Sequence, residues 1–155
     1  MDTKFIGDVL GQRIVRTEDE SLLTGKSKFV DDIILQNTVH SHFLRSPHPH
    51  ARVISIDTAA ARKSTGVVGI FTLDDFREYL TAIRVPLGMP DPAQLPNSSP
   101  CVLADEEVCH VGEPVVLVVA ENRYEAEDAA SLIQIEYELL PSVSDCRTAL
   151  KPEAP

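Results

Sequence analysis

The residues best suited to chemistry are four histidines. His40-x-His42 sets two imidazoles on one face of an extended strand, and His48-x-His50 repeats that spacing across two prolines. Paired imidazoles of this kind are ligand geometry for zinc, nickel or copper. No cysteine or carboxylate cluster adjoins them in sequence, so hydrogen-bonded histidines around a proline turn are the plainer expectation. Asp31-Asp32 and Asp74-Asp75 are sequence neighbours whose side chains diverge, so neither pair is arranged to share a proton. Cys109 and His110 are adjacent too, which sets them on opposite faces of a strand and not as a thiolate–imidazole pair. Glu113, held between Gly112 and Pro114, is the one carboxylate in a rigid turn, and hydrogen bonding of that turn's backbone is its expected role.

Two further signals fall short of a nucleotide site. Gly25-Lys26-Ser27 resembles the end of a phosphate-binding loop, but Glu20 stands where the first glycine belongs. There is no G-x-G-x-x-G and no G-x-S-x-G, so neither a dinucleotide fold nor a serine-hydrolase elbow is encoded.

The elements that must carry these residues follow from periodicity. Strands are expected at 38–45 and 50–57, with Ile54 and Ile56 on one face and Ala51 and Val53 on the other. Ser46-Pro47-His48-Pro49 separates them, because each proline removes a ladder donor. A short helix at 58–64 ends at Gly66, a strand follows at 67–71, and Thr72-Leu-Asp-Asp75 starts a helix carrying Phe76 and Leu80. Val115–Ala120 is apolar throughout and reads as a central strand covered on both faces. Asn122 caps a helix with Ala126, Ala129, Ala130 and Ile133 on one side, and 134–138 alternates as a strand. Residues 1–15 are expected to be an extended arm, 86–100 a loop with five prolines, and 151–155 a linker. Strands come as neighbours without strict β-α alternation, which indicates an α+β domain over 1–155.

Composition limits the function. The 155 residues carry a net charge of −10, which argues against a nucleic-acid surface. Residues 1–63 hold nine basic and eight acidic side chains, whereas 64–155 hold five and sixteen. Such asymmetry suggests a partner-facing side. No apolar run is long enough to span a membrane and no signal peptide is evident at Met1, and three cysteines without C-x-x-C spacing suit reduced thiols. A cytoplasmic protein is the expectation.

Four stretches in order then carry a resemblance: Arg16-x-Glu-Asp-x-x-Leu-Leu-Thr-Gly-Lys-x-x-Phe-Val-Asp-Asp-Ile33, Leu44-Arg-Ser-Pro-His-x-His-Ala-Arg-Val53, Val108-x-x-Val-Gly-Glu-Pro-Val-x-x-Val-Val-Ala-Glu121, and Ala126-x-Asp-Ala-Ala through Glu136-Tyr-Glu-x-Leu-Pro141. Together they resemble the N-terminal domain of the molybdopterin-binding large subunit in the xanthine dehydrogenase, aldehyde oxidase and carbon monoxide dehydrogenase family. Ser27, Pro49 and His110 depart from the residues usual there.

The resemblance implies an α/β-hammerhead domain, expected as a mixed sheet with two main helices. It implies a molybdenum hydroxylase acting on aldehydes, N-heterocycles or carbon monoxide, with iron–sulfur clusters and FAD on partner subunits or domains. The residues that hold molybdopterin and act as base lie in the larger region that follows such a domain, so no catalytic, cofactor or metal residue is assigned to this chain. Its expected role is scaffolding, with the remainder of the large subunit, an iron–sulfur subunit and an FAD subunit as partners. Arg45, His48, His50, Arg52 and Glu113 are the candidate interface residues. The rival expectations are a stand-alone protein-interaction module using the acidic surface or the 86–100 loop, and a His-cluster metal protein.

Overall fold

The computed structural model describes residue 11, residues 16–85 and residues 99–155. The expected arm at 1–15 and most of the 86–100 loop lie outside the described residues. The chain divides into two compact units, 1–38 and 39–155.

In the first unit, helix α1 (Asp19–Leu23) is a single turn. The Lys26 amide donates to the Ser21 carbonyl at 2.8 Å and the Gly25 amide to Leu22 at 3.2 Å. Gly25 has φ +69°. This pattern of crossed bonds around a left-handed glycine is a Schellman C-cap. Gly25-Lys26-Ser27 therefore closes a helix C-terminus, where carbonyls gather, and not the amide-rich N-terminus that an anion requires.

Among the described residues of the second unit, six strands form two three-stranded sheets: β1 (His40–Arg45), β2 (Ala51–Asp57), β3 (Val67–Phe71), β4 (Glu107–Val108), β5 (Pro114–Ala120) and β6 (Gln134–Leu139). The first sheet has the order β1-β5-β3 and the second β4-β2-β6. Every paired strand is antiparallel. The α+β class stands, with the sheet component divided in two where a single mixed sheet was expected. The proline turn accounts for the division. Pro47 and Pro49 fix the chain's direction between β1 and β2, which do not pair with each other; β1 takes β5 and β2 takes β6.

Of the two expected main helices, one is long. Helix α3 (Arg123–Ser131) starts where Asn122 Oδ1 accepts the Glu125 amide at 2.9 Å. Its Ala126, Ala129 and Ala130 are buried against the first sheet. Helix α2 (Leu73–Phe76) has the expected start, with the Thr72 amide donating to Asp75 Oδ2 at 2.7 Å, but stops after one turn. Beyond Phe76 it finds little to bury, Tyr79 being 82% exposed, and a helix gains most of its stability from packing. The helix expected at 58–64 is a 3-10 turn, Ala61–Lys63, again too short to propagate.

One face assignment changes as well. The β2–β6 register slips between Val53 and Ser55. An extra residue in one strand flips the facing of all that follow. Ala51, Val53 and Ile56 consequently share the core, and Ile54 is left 52% exposed. That core is completed by Ile70, Val108, Val115, Val116, Val118 and Ala120 with the alanines of α3.

Candidate interface site at the joint between the sheets

The turn that divides the sheets is braced by polar groups. Ser46 is 2% exposed; its hydroxyl donates to the His48 carbonyl and accepts the His48 amide, both at 3.0 Å. That hydroxyl replaces a turn partner which the prolines cannot supply. The Ser46 backbone is tied across to the 110–113 turn, its amide donating to the Glu113 carbonyl at 2.9 Å and its carbonyl accepting the Gly112 amide at 2.8 Å. Gly112 stands at φ +89°, which a side chain would strain. Arg45 Nη1 donates to the Gly112 carbonyl at 2.8 Å, with its guanidinium carbon 5.7 Å from the centre of the Phe43 ring.

Glu113 sits beneath this joint, 5% exposed. Its Oε2 accepts the Cys109 amide at 2.5 Å and lies 3.5 Å from His110 Nδ1. The carboxylate thus bonds the turn backbone from inside, as its position between Gly112 and Pro114 suggests.

On the other flank, His50 Nδ1 is 2.6 Å from the Pro141 carbonyl, which can only accept, so that nitrogen carries the proton. Its Nε2 lies 3.6 Å from Glu107. The His48 ring meets Tyr137 edge-on, with centroids 5.0 Å apart. Burial pushes the Tyr137 phenol above its ordinary range, and its hydroxyl has no hydrogen-bond partner among the described residues. Arg52 Nη1 donates to Glu138 Oε2 at 2.6 Å, and its Nη2 lies 3.5 Å from Glu107, linking β2 to both its neighbours.

The fold therefore gathers Arg45, His48, His50, Arg52 and Glu113 around one joint. Sequence reading missed Ser46, Tyr137, Glu107 and Glu138. A serine ahead of P-x-P is a turn-capping signal that would have found the first. The histidines do not gather as a set of four. His40 lies opposite Ala120 and His42 opposite Val118 along β1, while His48 and His50 have the partners given above. Among the described residues no three His, Cys, Asp or Glu side chains are placed to hold a metal ion. Beside the joint a cleft of about 520 Å³ is lined by Arg84, Cys101, Asp105, Glu106, Cys109 and Glu113, among others. Burial raises both thiols, and for Cys109 the Glu113 carboxylate raises it further. Neither thiol is an activated nucleophile. No helix among the described residues is long and apolar enough to cross a membrane.

Two small antiparallel sheets joined at a braced proline turn, with one helix across the first, define an α+β domain of the hammerhead type. The family model described as "Aldehyde oxidase and xanthine dehydrogenase, a/b hammerhead domain" matches residues 24–141, and the chain belongs to that family. It is 40% identical over 144 residues to the nicotine 6-hydroxylase large subunit of Paenarthrobacter nicotinovorans, covering 93% of this chain and 17% of that protein. It is 37% identical over 146 residues to the carbon monoxide dehydrogenase large chain of Afipia carboxidovorans, covering 94% and 17%. Among solved structures, Cu,Mo-CO dehydrogenase superposes with a TM-score of 0.80 at 36% identity, over 94% of this chain and 17% of that one. Quinoline 2-oxidoreductase from Pseudomonas putida 86 superposes with a TM-score of 0.79 at 39% identity, over 93% and 18%. The chain spans less than a fifth of the length of each of these relatives.

Proposed function

We propose that this chain is the scaffolding hammerhead domain of a molybdenum hydroxylase large subunit and is catalytically silent by itself. The observation that carries the reading is the family match over 24–141 together with the small share of each relative that the chain spans. The parent enzyme is an oxidoreductase of aldehydes, N-heterocycles or carbon monoxide, working in the cytoplasm. Molybdopterin supplies the oxidative chemistry when bound to the remainder of that subunit, and iron–sulfur and FAD partners carry the electrons away. In this reading no step of the reaction is assigned to the described residues. What they do is mechanical. Arg45, His48, His50, Arg52 and Glu113 hold the joint in one shape, and its outer rim meets the rest of the assembly.

The test is direct. The purified 155-residue chain, given an aldehyde, an N-heterocycle or carbon monoxide with an artificial electron acceptor, shows no turnover and retains no molybdenum after gel filtration. Turnover, or stoichiometric molybdopterin, would overturn the reading.

A further inference from the structure

Within the described part of the second unit, the first sheet has two apolar faces, and elements of that unit cover only one of them. Inner-facing Val116, Val118 and Ala120 on β5 and Ile70 on β3 are buried with the alanines of α3, and Leu44 packs against that cluster. The outer face is formed by Ser41 and Phe43 of β1, Leu117 and Val119 of β5, and Gly69 and Phe71 of β3. These face one another in two rows, Ser41–Val119–Gly69 and Phe43–Leu117–Phe71. Phe43 is 39% exposed, and Leu117, Val119 and Phe71 are half-buried. None of these side chains joins the buried core. Within the second unit, α2 packs on β3, where Phe76 lies on Phe71 with ring centroids 5.5 Å apart.

The strand composition requires more cover than this. An antiparallel strand with one wet face alternates apolar and polar residues, whereas Val115–Ala120 is apolar at every position. Charge points the same way. In a chain of net −10, no carboxylate stands at any of these six outer positions, and Arg45 ends β1 beside them. A solvent face of this protein would carry acids, as α3 does with Glu127 and Asp128. The relatives supply the candidate occupant, since more than four-fifths of each lies outside the matched segment.

We infer that the outer face of the β1–β5–β3 sheet, centred on Phe43 and Leu117, docks the remaining polypeptide of the large subunit. The inference rests on the proposed function and adds the surface. Burial of that face supplies apolar contact on β5's second side, and Arg45 stays at the rim, where its charge keeps partial access to water.

The experiment exchanges this chain for the matching segment of the nicotine 6-hydroxylase large subunit and reads assembled, molybdenum-containing subunit by gel filtration and elemental analysis. The unaltered chimera assembles. Ser41→Glu, which sets a carboxylate on the outer face at an exposed position, lowers assembled yield at least about tenfold, because an unpaired charge is buried. Phe43→Glu does the same, and Tyr124→Glu on exposed α3 has no effect. Circular dichroism and the melting temperature of the isolated Ser41→Glu chain match the parent, which separates docking from folding. If the unaltered chimera fails to assemble, the scaffolding reading fails and the inference with it. If it assembles and Ser41→Glu and Phe43→Glu assemble equally well, the surface is wrong while the reading survives. A dimer of the isolated chain that Ser41→Glu dissociates, with chimera assembly unchanged, assigns the face to a second copy and overturns the inference.

Discussion

The Ser46 amide donates to the Glu113 carbonyl at 2.9 Å, joining residues 67 positions apart and fixing the corner where β1 leaves the first sheet. The Glu113 carboxylate serves the same turn from inside through the Cys109 amide at 2.5 Å. Removing that carboxylate leaves a part-buried amide without its acceptor, a loss of about 1–3 kcal/mol. Glu113→Ala should therefore destabilise the chain by about that amount in urea unfolding, with Glu113→Gln retaining part of the loss because its carbonyl still accepts. Equal stability of Glu113→Ala and the parent would show that the turn holds without its inner bond.

Arg52 has a different balance. Its partners Glu107 and Glu138 are close, but all three side chains are 40–53% exposed, so the pair is screened by solvent. A double-mutant cycle between Arg52→Ala and Glu138→Ala should give about 0.2–1 kcal/mol, shrinking in 1 M salt. Arg52 then contributes little to folding and remains available to an assembly. In the chimera, Arg52→Glu or Arg45→Glu should reduce assembly more than Glu127→Gln. Glu127 is the better control than Glu125, whose carboxylate packs against Gly66. Equal losses would return the nearly neutral first 63 residues to an ordinary solvated surface.

How much of this was legible in sequence depends on range. Local signals carried the β5 run, the Asn122 cap and the Asp75 capping box, each decided within a few residues. The family and its α+β class were legible from four stretches in order. What was lost needed distant partners. The Val53–Ser55 bulge flips Ile54 outward only because of how β6 is registered, and no period within β2 encodes it. The helix after Phe76 has a good start and fails for want of a surface to cover Tyr79. Around the joint, the five candidate residues flank a constrained turn that is visible locally, whereas their partners Tyr137, Glu107 and Glu138 come from strands far away in sequence.

Gly66 is one position where the backbone requires glycine. It has φ +75°, and an added Cβ would fall 1.9 Å from Glu125 Oε2. The carboxylate can swing aside; the backbone cannot. Gly66→Ala should cost about 1–2 kcal/mol from the left-handed conformation. Adding Glu125→Ala to it should relieve the contact and leave that backbone penalty in place. Full recovery in the double variant, read by thermal unfolding, would locate the whole cost in the side-chain clash instead.

The thiol of Cys109 reports on the cleft beside the joint. Burial raises it, and the Glu113 and Glu107 carboxylates raise it further by disfavouring a nearby negative charge. Since the thiolate is the species that reacts, iodoacetamide should alkylate Cys109 in the folded chain with a pH midpoint above that of the urea-unfolded chain. The effect on stability has a definite sign. With the folded value higher, the unfolded chain loses its proton first, so the favourable contribution is full below the ordinary thiol range. It is lost progressively as pH rises through that range towards the raised folded value. Cys109→Ser should flatten this alkaline decline, and Glu113→Gln should bring the alkylation midpoint down by removing the nearest charge. A folded midpoint at or below the unfolded one would mean that the carboxylates do not act on the sulfur of this exposed cysteine.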